Sequence, residues 1–469
     1  MSVDQRMLNK EKNTSNNKKL RYSGTRNSAT QMKQLLNNLK GDKVIWTFVA
    51  LLALFSFMPV FSASSNLAYM GHGTGNTLGY LVKHLAHICI GFSIIYMVHK
   101  VPYHYFRAIS RVALPVVWIL LAYTLIKGTV IAGANASRWI QVPFIGITFQ
   151  TSTLASIVLM IFVARYLSKT RETPVTFQNS LWELWTPVFI TLMFILPANF
   201  STAALMFSMV VMLTFIGKYP LKYIGFIIGM GVAALMLFVL MSKAFPDAKF
   251  FNRVHTWESR LENFTTDKPD EDDYQIEKAK IAIASGGIQG LGPGKSVQKN
   301  FLPQSSSDFI YAIIVEEYGL IGGIAVLCLY MLLFFRFIVA AHKANSLFGK
   351  LVVVGVGFPI VFQALINMAV AVELLPVTGQ TLPLISSGGS SIWMTCIALG
   401  IIIGVTKKEE EVAAEKEEKE QREETLRRMI DAQIKREEEA EAALLAGETP
   451  ESYSIEDKTN PMNAVLGKS

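Results

Sequence analysis

The sequence predicts an all-α polytopic membrane protein with about ten transmembrane helices and one large extracytoplasmic loop. Three observations lead there: apolar runs recur along the chain, charge is scarce, and basic residues are divided unequally between alternate loops. Of 469 residues, 51% are hydrophobic and 17% charged, and the mean hydropathy is +0.35. A soluble domain usually carries about a quarter charged residues.

A bilayer core about 30 Å thick requires about 20 apolar residues per helix. Suitable runs lie near 44–62, 80–99, 112–132, 147–167, 184–197, 201–217, 222–245, 309–340, 348–373 and 388–406. The short fifth and sixth are divided by Pro197-Ala198-Asn199-Phe200, which reads as a tight hairpin between two spans. Short loops on one side hold eleven lysines and arginines, Arg107, Arg111, Arg165 and Lys169 among them, whereas those on the other hold Lys127 and Arg138. The positive-inside rule then places both termini in the cytoplasm. The first run starts only at residue 44 and is followed by many more, so it reads as a retained anchor.

Three segments follow. Residues 1–43 form a disordered basic cytoplasmic tail of net charge +7, residues 44–406 the membrane domain, and residues 407–469 a charged, partly helical cytoplasmic tail of net charge −7. The tails cancel, so the overall +8 belongs to the membrane domain. There it suits anionic lipid headgroups and argues against nucleic acid as a partner. Cys89, Cys328 and Cys396 lie far apart inside apolar runs, with neither metal-ligand spacing nor a disulfide framework.

The long outer loop, 246–307, is mixed in charge and interleaves Trp257, Phe264, Tyr274, Ile276, Ile281 and Ile283 with polar residues. No regular element is assigned to it, but it is expected to fold against the membrane domain. Its glycine-rich stretch, Ser285 to Gly294, lacks the spacing and preceding strand of a phosphate-binding loop and reads as a series of turns.

Acids inside or beside the spans, Glu183, Asp308, Glu316, Glu317 and Glu373, are the informative ones, because burying a carboxylate in lipid is costly. Asp308 opens an apolar run, where aspartate is a favoured helix cap. That run exceeds one membrane thickness, so its first turns could instead line a cavity and expose the carboxylate to substrate. Glu316 and Glu317, about two turns further in, suit cation binding, pairing with loop bases, or helix-to-helix attachment. His84 and His87, three apart on one span, suit packing better than a metal, since no third ligand accompanies them.

Three blocks of residues carry a resemblance. The first runs from Tyr274-Gln275 through Ala282 to Gly287, Gly292 to Gly294 and Ser296-Val297-Gln298-Lys299, then Leu302-Pro303, Asp308 to Ala312 and Glu316 to Gly319. The second comprises Pro376 to Gly379, Leu382-Pro383 and Ser386 to Ser391. The third comprises Gly133-Ala134, Arg138-Trp139-Ile140, Phe149-Gln150 and Ser152. Together these resemble the FtsW/RodA family of cell-wall proteins (SEDS: shape, elongation, division, sporulation) over about residues 44–406, and its division branch more than its elongation branch.

The resemblance implies a peptidoglycan glycosyltransferase of the inner membrane at the division septum, acting on lipid II with a class B penicillin-binding transpeptidase and other division proteins as partners. Asp308 would be the general base, supported by Glu316 and Glu317. Arg138, Arg253, Arg260, Lys295, Ser296, Gln298, Lys299, Ser386 and Ser387 would contact substrate. A divalent cation, magnesium or manganese, would be a possible aid to the leaving diphosphate, with its ligands unknown. Rival readings are a lipid II flippase and a non-catalytic division scaffold. The sequence departs from the family at Ser306-Ser307, where His-Thr is common. It also departs at Thr153 and Ser156, where the family usually has Glu and Lys, and at Pro197 to Ser201, where Gln-Pro-Asp-Leu-Gly is usual.

Overall fold

The computed structural model describes residues 40–70, 77–128, 139–141, 148–171, 175–245, 271–302, 304–407, 417 and 419–435. The chain divides into two compact units, Met1–Thr406 and Lys407–Ser469. In the second, residues 419–435 are helical and exposed, with Arg428 bonded to Glu424 one turn earlier at 2.7 Å.

In the first unit, α1 (Lys43–Met70), α2 (Thr77–Val98) and α3 (Tyr105–Lys127) precede a small antiparallel pair, β1 (Trp139–Gln141) and β2 (Thr148–Gln150), with Ile140 opposite Phe149. Then come α4 (Thr151–Thr170), α5 (Phe177–Ser180), a π turn (Leu181–Trp185) and α6 (Thr186–Ile195), followed by α7 (Phe200–Ile216) and α8 (Leu221–Ala244). The outer loop holds α9 (Glu271–Gly286), and α10 (Ile310–Lys343), α11 (Leu347–Ala371) and α12 (Gly389–Val405) complete the unit. Among the described residues, α1, α2, α3, α4, α8, α10 and α11 are long and apolar enough to cross a membrane, while α7 and α12 are apolar but shorter. With α5, the π turn and α6 forming one continuous helical stretch, each of the ten apolar runs has its helix.

Boundaries shift where polar residues continue a helix. The third span starts at Tyr105 instead of residue 112, and the fifth stretch at Phe177 instead of residue 184. The fourth run begins as the strand β2. The hairpin at Pro197 is a turn over residues 196–198, after which the Asn199 side chain accepts the Thr202 N–H at 3.1 Å and caps α7. Two larger departures concern the site. The outer loop contains α9, whose Ile276, Ala279 and Ala282 pack against Phe309, Ile313 and Val370. The run at 309–340 is not one straight helix, because Gly319 breaks it with φ +69 and ψ −172.

Core packing centres on α11, which lies against α4, α7, α10 and α12, whereas α8 meets the bundle through α7 and Phe177 of α5 and leaves most of its apolar surface outward. At one end of the bundle the buried Asp42 joins three helices. Its Oδ1 accepts the Val44 N–H at 2.9 Å, its Oδ2 accepts Arg336 Nε at 2.7 Å, and its own N–H donates to Thr406 Oγ1 at 2.9 Å. The candidate site lies at the opposite end, where α10 and α12 begin and α1 and α11 finish.

Candidate functional site

Gly319 is the hinge on which this end is built. A helix break leaves N–H and C=O groups unpaired, and here the glycine-rich turn of the outer loop satisfies them. Leu291 N and Gly292 N each donate at 2.9 Å, to Glu316 O and Glu317 O, while Leu320 N donates to Gly287 O at 2.9 Å. The two backbones are too close for a side chain between them. A Cβ on Gly290 (φ +82) would lie 2.3 Å from Glu317 O, and one on Gly319 would lie 2.2 Å from Ile288 O.

The first turns of α10, Ile310 to Glu317, are buried throughout. Both carboxylates are therefore enclosed, and the loop supplies their donors. Glu316 Oε1 accepts Val297 N at 2.9 Å and Gln298 N at 3.1 Å, and its Oε2 accepts Ser296 Oγ. Glu317 Oε1 accepts Ser62 Oγ from α1 and Ser296 N at 3.3 Å. Lys299 Nζ donates to the same Ser62 hydroxyl at 3.1 Å and to Gly294 O at 2.9 Å. The pair thus attaches the outer loop to α1 and α10.

Asp308 is held differently. It sits in a turn over residues 304–309 whose Gln304 has φ +55, and Gln304 O accepts the N–H groups of Ser307 at 3.0 Å and Asp308 at 3.1 Å. Helix α10 starts at Ile310 with Phe309 as its N-cap, so Asp308 stands one residue outside the capping position expected for it. It is half-buried, in contrast to the enclosed glutamates. Three successive carbonyls of the turn are occupied. Ser306 O accepts Ser387 N and Oγ, both at 2.9 Å; Ser307 O accepts Ser386 Oγ at 2.6 Å; Asp308 O accepts Asn367 Nδ2 at 2.6 Å.

Several residues expected to contact substrate have their hydroxyls engaged within the protein. Ser296 is buried and bonded to Glu316; Ser386 is buried between Ser307 O and Leu382 N; Ser387 is bonded to Ser306. These serines shape the site, because each closes an otherwise unpaired backbone or carboxylate group. Gln298 gives its N–H to Glu316, Lys295 is exposed, and Lys299 is half-buried. Arg138, Arg253 and Arg260 lie outside the described residues.

Glu183 is exposed in the π turn, and Glu373, also exposed, pairs with Lys280 of α9 at 2.6 Å. His84 Nε2 lies 2.9 Å from Ser56 Oγ, and the His87 ring meets Trp393 edge-on. Thr153, at one of the positions where the family usually has an acid, bonds its hydroxyl to Gln150 O at 2.8 Å. Among the described residues no three of His, Cys, Asp and Glu are grouped to hold a metal.

Sequence reasoning did not single out Asn367, Ser62 or Asp42. A signal existed for Asn367, an amide inside an apolar span that must find partners. Ser62 and Asp42 looked like ordinary polar residues near the ends of a run.

Residues 42–411 match the family designated FtsW/RodA/SpoVE and described as "Cell cycle protein". The chain belongs to this family. It is 30% identical over 372 residues to "Probable peptidoglycan glycosyltransferase FtsW" of Geobacter sulfurreducens, a match covering 78% of this chain and 95% of that protein. It is 28% identical over 368 residues to "Stage V sporulation protein E" of Bacillus subtilis, covering 78% and 97%.

Among solved structures, it resembles a chain of a peptidoglycan synthase complex that coordinates polymerization and crosslinking, with a TM-score of 0.60, 21% identity, and coverage of 78% and 98%. It also resembles the rod shape determining protein RodA of Thermus thermophilus, with a TM-score of 0.56, 21% identity, and coverage of 79% and 98%. At that identity the two structures establish the membrane fold. All of α1 to α12 lies within the stretch that matches FtsW/RodA/SpoVE, which makes this chain a multi-pass membrane protein of that family.

Proposed function

We propose that the chain is a peptidoglycan glycosyltransferase that polymerises lipid II into glycan strands, with Asp308 as general base. The observation that carries the reading is the Asp308 turn, an acid outside its helix cap on a main chain fixed at three consecutive carbonyls. The FtsW relatives' names support the same activity.

In strand extension the acceptor sugar hydroxyl oxygen bonds to the donor's anomeric carbon. The bond from that carbon to undecaprenyl pyrophosphate breaks, and the diphosphate leaves with the electron pair. The hydroxyl proton passes to the Asp308 carboxylate. A carboxylate on a fixed turn holds the reacting geometry better than one on a mobile loop. Lys295, Lys299, Arg253 and Arg260 supply positive charge toward the diphosphate, and Arg138 and Gln298 contact the sugars. Ser386 and Ser387 act as positioning residues through the bonds described above, while Ser296, Glu316 and Glu317 support the site by holding the outer loop against α1 and α10.

A divalent cation would take its ligands chiefly from substrate phosphates and water, as magnesium commonly does. It would add charge stabilisation for the leaving group. The protein works in the cell inner membrane at the division septum with both termini cytoplasmic. Its partners are a class B penicillin-binding transpeptidase and other division proteins, a reading supported by the synthase-complex relative.

The test is purified full-length protein in vesicles with lipid II, read for glycan chains and, separately, for movement of lipid II between leaflets. Glycan chains are expected. Folded protein that moves lipid II without joining sugars would replace this reading with the flippase.

A further inference from the structure

Asn367 lies on α11, eight-tenths of the way along an apolar helix, and is 1% exposed. Its amide nitrogen donates twice, to Asp308 O at 2.6 Å and to Gln380 O at 2.7 Å. Two carbonyl partners fix which end of the amide is nitrogen, since the flipped amide would set its oxygen against both. The link extends further, because Gln380 Nε2 donates to Thr202 Oγ1 of α7 at 2.9 Å. One amide therefore joins the aspartate's own peptide group to the 376–388 segment and, through Gln380, to a second helix. The serine contacts on the turn reach only the residues before Asp308; Asn367 holds Asp308 itself.

We infer that Asn367 is a positioning residue for the Asp308 carboxylate, setting the acid's place by gripping its carbonyl from a largely buried helix. The inference rests on the general-base reading of Asp308. Its chemistry predicts an order among variants. Asn367→Asp keeps the shape but replaces the double donor with an oxygen facing two carbonyls. Asn367→Leu removes the donor without adding that repulsion. A merely structural asparagine would lower the folded fraction in both variants and leave kcat per folded molecule unchanged.

The experiment compares full-length wild type, Asn367→Asp and Asn367→Leu for lipid II polymerisation and for hydrogen exchange at the amides of residues 307–309. The expected kcat loss is about tenfold or more, greater for Asp than for Leu, with KM little changed, since small misplacements of a reacting group suffice for such losses. Exchange at 307–309 should accelerate in both variants while the α12 amides stay protected. Wild-type kcat in Asn367→Asp, or unchanged exchange at 307–309, would overturn the inference. If wild type itself makes no glycan, the functional reading fails, and the exchange result alone decides whether Asn367 holds the turn.

Discussion

Two acidic positions near the start of α10, eight residues apart, are held in opposite ways. Glu316 is fully enclosed, and its two oxygens accept three donors from residues 296–298. Asp308 is half-buried, and its surroundings secure its main chain from behind, at the carbonyls of residues 306–308. A carboxylate that satisfies buried N–H groups holds structure together, because removing it leaves those donors unpaired in a medium without water. On the proposed mechanism, the clamped backbone of Asp308 serves its chemistry. The difference is not visible from residue type, since both are acids at the edge of one apolar run.

The largest expected effect lies at the hinge, Gly319, three residues after Glu316. Gly319→Ala would place a Cβ 2.2 Å from Ile288 O at a backbone φ of +69. That combination of overlap and strain should cost at least about 3 kcal/mol. Thermal unfolding in detergent should show a severely destabilised protein, and near-native stability would mean that the loop does not close on the helix break.

Next comes Glu316→Ala, which leaves two backbone N–H groups and the Ser296 hydroxyl without their acceptor. The expected loss is about 3 kcal/mol, seen as a lower melting temperature and faster proteolysis of the 290–300 segment. Activity should fall with the folded fraction and no further. A stable but inactive Glu316→Ala would move this glutamate into the chemistry and erase the contrast.

Smallest is the ion pair between Lys280 and Glu373, both partly exposed. Glu373 adopts φ +59 just past the end of α11, a conformation that usually goes to glycine at this position. Charge reversal of either residue should cost at most about 1 kcal/mol, and the double swap Lys280→Glu with Glu373→Lys should recover it. A swap no better than the single variants would show that the pair does not help hold α9 in place.

The spans were legible because hydropathy is a property of composition over about 20 residues, and Pro197 with Asn199 marked the hairpin for a local reason. What the sequence hid was long-range. Helix α9 does carry an apolar i, i+3, i+6, i+7 pattern at Ile276, Ala279, Ala282 and Ile283, but its small alanines and many charges obscured it. The break at Gly319 depends on a backbone segment some thirty residues earlier. Asp308 stood out as an acid at a span mouth. Ser386 and Ser387 also stood out, but not their bonds to carbonyls about 80 residues away, because sequence does not show which hydroxyl meets which carbonyl. Asn367 was passed over although an amide inside an apolar span must find partners.

The most direct test makes one chemical change, carboxylate to amide, at both positions. Asp308→Asn should fold with native stability and bind lipid II, yet polymerise it at least about 100-fold more slowly, since an amide cannot take the proton. Glu316→Gln should be less stable but active per folded molecule. Glycan synthesis by Asp308→Asn at near the native rate would contradict the account.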